Sequence, residues 1–218
     1  MTWRAFLGLG LLWSADGLGA SECASQPARA VEAHTVISTR DPIARIEIDE
    51  ELRYLGALRF DLKGIACVER QVFAAVKNRR IQRLFIIQFE GILDSSAEIY
   101  RWQMRDPIRL GDGEYRHNIF AFDTGREVRE DPEAETAKTD AFLKEKGLEL
   151  DSELVMSRFA RVVGEDRKHE LIFFYIEPLA SWHQRVTDFA DGAPRTAGQR
   201  DLASELSQRS LRAFRVIR

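Results

Sequence analysis

The chain has 218 residues, 44% of them hydrophobic and 31% charged, with a formal net charge of -3. Those values fit one globular core of ordinary size and argue against wholesale disorder, a multispanning membrane protein and a generally basic nucleic-acid binder. Charge is uneven: residues 193–218 hold six arginines against Asp201 and Glu205, whereas residues 124–153 hold ten acids against five bases. Local polarity therefore says more than the total.

Residues 1–20 have the pattern of a secretory signal peptide: Arg4 in front, an apolar run from Phe6 to Trp13, and small residues towards Ala20. The run is too short to span a membrane, which takes about twenty apolar residues. The competing reading is an N-terminal helix of a cytosolic protein. Glu22 before Cys23 makes a poor lipidation site. Export would place Cys23 and Cys67 where disulfides persist. The two cysteines then either pair, or leave Cys67 as a small buried hydrophobe and Cys23 in a loose segment. Residues 21–44 are small, polar and unpatterned, the signature of a flexible linker that ends near Pro42.

The globular domain is expected over residues 45–192. Leu52, Tyr54, Leu58, Phe60 and Leu62 alternate with charged residues as in a half-buried strand. A second strand is expected over Cys67–Val76, with Val68, Val72, Ala74 and Val76 on one side and Glu69 and Gln71 on the other. Asn78, Arg79 and Arg80 form a hairpin tip before the most apolar segment, residues 81–93. That third strand carries Phe85, Ile87 and Phe89 on one face and Leu84 and Ile86 on the other, so it is expected at the centre of a sheet covered on both sides. A shorter strand is expected over Tyr115–Phe122.

Asp131 as N-cap and Pro132 at the first helical position predict a helix that Gly147 ends. Leu154–Val163 and Glu170–Glu177 read as a second hairpin, although the first of these could also be helical behind Asp151. Trp182, Val186 and Phe189 have helical spacing, and a basic C-terminal helix from about Asp201 occupies residues 193–218, packed on the domain or appended to it. The fold class is therefore α+β: a mainly antiparallel sheet of five to six strands, curved or partly closed, with three helices on one face or end.

Serine-hydrolase elbows, phosphate-binding loops, dinucleotide fingerprints and zinc-protease motifs are absent from the sequence. Nothing in it calls for a cofactor or a metal. The candidate ligand-binding residues are polar groups on apolar strand faces: Gln88 and Glu90 follow Leu84 and Ile86, while Tyr175 and Glu177 follow Leu171 and Phe173. If the two faces look into one cavity, two carboxylates and a phenol would gather at its mouth. The simpler explanation is that strand ends reach water. His117 could face the same pocket or be a hydrogen-bonded structural histidine.

The function expected from these features is that of a periplasmic or secreted non-catalytic binding module for a small, partly apolar ligand or an envelope protein. One alternative is a hydrolase-type envelope enzyme that uses the strand-end carboxylates. Another is an adaptor whose C-terminal arginines dock on an anionic surface or an acidic partner. Nucleic acid is not an expected partner, and no transmembrane span is expected after leader removal.

Overall fold

Eleven strands are present among the residues described by this computed structural model, which are Cys23, 28–189 and 192–217, and the long ones are the apolar runs of the sequence. In chain order they are β1 (Ala30–Glu32), β2 (Thr35–Ser38), β3 (Ala44–Ile48), β4 (Arg53–Leu62), β5 (Ala66–Lys77), β6 (Arg80–Ile92), β7 (Ile108–Leu110), β8 (Gly113–Asp123), β9 (Glu153–Val163), β10 (His169–Pro178) and β11 (Phe214–Val216). The helices are α1 (Thr124–Glu130), α2 (Glu135–Glu145) and α3 (Ala197–Arg212). The strands make two open antiparallel sheets, one ordered β4-β5-β6-β10-β9-β8-β7 and the other β1-β2-β3-β11. The α+β class holds, with more strands than the sequence predicts. The leader expected over residues 1–20 lies outside the described residues.

β6 and β10 pair at the middle of the large sheet, with Phe173 opposite Ile87 and Phe174 opposite Ile86. Both strands are apolar on each face, so the sheet needs two covers. One face, with Phe85, Phe159 and Phe173, packs against Val36, Ile46 and Phe214 of the small sheet and Leu202 and Leu206 of α3. The opposite face, with Leu84, Ile86 and Phe174, is covered by Leu143 of α2 and by Leu148. The helices therefore divide between two faces instead of sharing one.

Local chemistry sets the boundaries. Asn78 and Arg79, at φ of 51° and 65°, form the two-residue tip between β5 and β6, where a left-handed pair matches the twist of the strands. Asp131 does not start a helix. Its N–H returns to the Glu127 carbonyl at 2.8 Å and closes α1, while α2 begins after Ala134. Gly147 does stop α2: it takes φ of 67°, which lets the Leu148 N–H reach the Leu143 carbonyl at 3.0 Å. Instead of one helix, the stretch from Leu179 to Asp188 makes two short 3-10 turns, separated by His183 at φ of 53°.

Much of the expected linker is built into the fold. Residues 30–32 and 35–38 are β1 and β2, and the buried Glu69 carboxylate accepts the N–H groups of Ala28 at 2.8 Å and Arg29 at 3.0 Å. A disulfide joins Cys23 to Cys67 in the same region.

α3 starts at Ala197, earlier than the expected Asp201, because Thr196 and Gln199 form a reciprocal cap: each side chain accepts the other residue's N–H, at 3.3 and 3.0 Å. After Arg212 the chain turns into β11 against β3. Thr196→Ala is expected to cost about 1 kcal/mol in urea unfolding, the usual value of such a cap; an unchanged midpoint would show that the cap contributes nothing.

Candidate functional site

On the face covered by α1 and α2, the large sheet and the helices do not close completely. A cavity of ≈ 340 Å³ remains, walled by Leu84, Ile86, Phe120, Met156 and Phe174 from the sheet and by Ala134, Thr136 and Thr139 from the helical cover. Its size and apolar wall lie in the ordinary range of small-molecule sites. Strand alternation produces the wall, because even-numbered residues of β6, β9 and β10 all point this way.

Among the described residues, four charged side chains also line the cavity, Arg70, Glu127, Glu135 and Asp140, and Arg70 with Glu135 forms its most buried polar corner. Arg70 of β5 is on the wall, yet its side chain is only 6% exposed. Its Nε donates to Gln88 Oε1 at 2.6 Å, and its terminal nitrogens donate to the Glu135 carbonyl at 3.0 Å, to Thr139 Oγ1 and to the Glu135 carboxylate. Burial lowers the Arg70 pKa, and the charges of Glu135 and Glu90 oppose that shift.

A polar chain runs on from this corner beneath the sheet's cover. Gln88 Nε2 donates to Glu90 at 2.7 Å, and Tyr100 also donates to Glu90. Directly across the strand pair lies Glu170, which accepts the Trp102 indole N–H at 2.8 Å and faces Arg158 at 3.7 Å. Burial raises both carboxyls. Glu90 is pushed up further by the charge of Glu135, and Glu170 is pushed up to about 7 although Arg158 pulls it back. Arg167 fixes the segment that brings in these aromatic residues by donating to the carbonyls of Tyr100 at 2.7 Å and Trp102 at 3.0 Å.

The five residues marked from the sequence do not meet. Gln88 and Glu90 belong to the polar chain just described, on the α2 side. Tyr175 and Glu177 point to the opposite face, where the Tyr175 hydroxyl donates to Glu177 at 2.7 Å and Arg209 donates to Glu177 at 3.1 Å. Burial raises the Tyr175 phenol, and the Glu177 charge raises it further. His117 stacks on Phe159 at 4.4 Å and bonds Ser157 at 2.8 Å on that same second face, two strands from Tyr175. Burial lowers its pKa. The reason for the divergence is parity: Glu90 falls on an even position of β6 and Glu177 on an odd position of β10, and the register puts these on opposite sides.

The chain matches no family model, no curated protein and no solved structure.

Arg70 and Glu170 were not singled out from the sequence. Counting by two from Val68, or back from Phe174, would have placed each on the α2 side; what the sequence hid is that those positions face a cover and not water. The basic C-terminal segment is partly neutralised in place: Arg209 pairs with Glu177 and Glu205, and Arg215 pairs with Glu47. Among the described residues no group of three or more His, Cys, Asp or Glu is arranged to hold a metal ion, and no described helix is long and apolar enough to cross a membrane.

Proposed function

We propose that this chain is an exported, non-catalytic binding module that takes a small, partly apolar ligand into the cavity between the large sheet and α1–α2. One observation carries the reading: a mainly apolar space of ≈ 340 Å³ whose described lining residues include one cation, the ordered Arg70, beside the acids Glu127, Glu135 and Asp140. Such a combination retains a hydrophobic body by burial and orients it through one polar contact. The leader-like first twenty residues and the Cys23–Cys67 disulfide support export, since a bridge of this kind persists in oxidising compartments. The carboxylates offer less support to an enzyme. Glu90 and Glu170 are covered by Tyr100 and Trp102, and Glu177 lies on the other face.

The test uses N-phenyl-1-naphthylamine, an uncharged dye that brightens in apolar surroundings. Purified chain is expected to bind it with saturation, and Met156→Trp, which fills the cavity from β9, is expected to weaken binding by about tenfold or more, the equivalent of 1.4 kcal/mol. Far-ultraviolet circular dichroism of the variant checks that the fold survives. Equal dye binding by the two proteins would place the dye elsewhere and remove the proposed site.

A further inference from the structure

We propose that the ligand of this cavity is a medium-chain alkyl carboxylate, whose head takes the place of Glu135 on Arg70 while its tail lies along Ile86, Met156 and Phe174. The inference rests on the binding reading above and adds the chemical class. It begins with an asymmetry in the ion pair. Arg70 is a fixed part of the sheet: its side chain is 6% exposed, Gln88 holds Nε, and Thr139 and the Glu135 carbonyl hold one terminal nitrogen. Glu135, by contrast, comes from the helical cover, at the first turn of α2, and its side chain is 30% exposed.

The counter-ion of a buried cation is thus supplied by the more solvated partner. If a carboxylate enters from the cavity, Arg70 exchanges one anion for another at the terminal nitrogen that now donates to Glu135 and keeps its other bonds to Gln88, Thr139 and the Glu135 carbonyl, while the Glu135 carboxylate can turn to water. An alcohol cannot make that exchange, because it would leave the guanidinium buried without an anion. A cationic head would face Arg70 directly. The other acids on the wall are already engaged: Glu127 accepts from Thr136 at 2.7 Å and Asp140 pairs with Lys144 at 2.6 Å. Glu90, the next acid along, is held by Gln88 and Tyr100 and is kept towards its neutral form by burial.

The length of the tail follows from the space. A volume of ≈ 340 Å³ corresponds to roughly eleven water molecules at about 30 Å³ each. That is the scale of one medium alkyl chain.

Displacement of N-phenyl-1-naphthylamine from the full chain by three probes of equal length tests the class: dodecanoate, dodecan-1-ol and dodecyltrimethylammonium. Dodecanoate is expected to displace the dye at about tenfold lower concentration than the alcohol, and the ammonium compound is expected to be weakest. Glu135→Gln should strengthen dodecanoate several-fold and leave the alcohol unchanged, because it removes the competing carboxylate and keeps the shape. Arg70→Met should erase the preference for acid over alcohol. Equal displacement by dodecanoate and dodecan-1-ol in the wild-type chain, or weaker dodecanoate binding in Glu135→Gln, overturns the carboxylate class but leaves the cavity reading intact. A chain that binds neither dye nor any of the three probes overturns both. The comparison of dodecanoate with dodecan-1-ol on the wild-type chain keeps the test decisive even if neither variant folds.

Discussion

Phe173→Ala is expected to destabilise the protein by about 3–5 kcal/mol, the range for truncating a fully buried aromatic ring. Phe173 sits at the middle of β10 with no exposed surface. Its ring lies 5.5 Å from that of Tyr115 and 6.3 Å from that of Phe85, both in the large sheet, and 4.6 Å from that of Phe214 in the small one. Each neighbour is held by a strand ladder, so the site has little freedom to collapse into the space left behind, and the cavity penalty adds to the lost burial. The adjacent Phe174 makes a useful contrast. It faces the opposite side, where its ring already borders the ≈ 340 Å³ cavity. A ring next to a void has fewer partner atoms to lose, so Phe174→Ala should cost less. Urea unfolding of both variants checks this. If Phe173→Ala unfolded with the wild-type midpoint, the two sheets would not share the core described.

The long strands of the large sheet were readable from alternation, as in β4, or from a sustained apolar run between turn residues, as in β6 and β10. β5, β6, β9 and β10 fall within a few residues of the segments expected from Val68, Phe85, Phe159 and Phe173. Short strands gave no such signal. β1, β7 and β11 have three residues each, and a three-residue strand cannot display a period. β11 was further masked by Ala213 and Ile217, which fit a continued helix; the structure shows the helix closing at Arg212 and Phe214 turning into the aromatic core. α1 escaped because none of its residues is buried, which leaves no apolar stripe to read. The candidate site was half legible. Gln88 and Glu90 were found from their place on an apolar face, but pairing them with Tyr175 and Glu177 required knowing which face of β6 meets which face of β10. That information resides in the register, which long-range pairing sets and composition does not encode.

The second large effect expected is a loss of stability between pH 5 and pH 7 that depends on Glu170. Burial raises this carboxyl from 4.5 to about 7 in the folded chain. Below the lower value both states are protonated and the buried group costs nothing electrostatically. As pH rises through the interval the unfolded chain ionises first, so fewer protons are bound in the unfolded state and stability falls; above the upper value the loss is complete, on the order of 3 kcal/mol. Glu90 is raised in the same direction and adds to the trend. His117 works against it. Its pKa is lowered by burial, so protonation of the unfolded chain removes stability as pH falls. The two contributions separate in Glu170→Gln, which keeps an acceptor for the Trp102 indole and removes only the titrating group. Arg158, with 26% of its side chain exposed, can turn to water when its partner loses charge. Urea midpoints measured from pH 4 to pH 8 should therefore fall in the wild type relative to the variant, with Glu170→Gln the more stable protein at pH 8 and the two nearly equal at pH 4. Parallel curves for the two proteins would mean that Glu170 ionises in the fold as easily as in water, and the buried carboxyl pair across β6 and β10 would then have to be open to solvent.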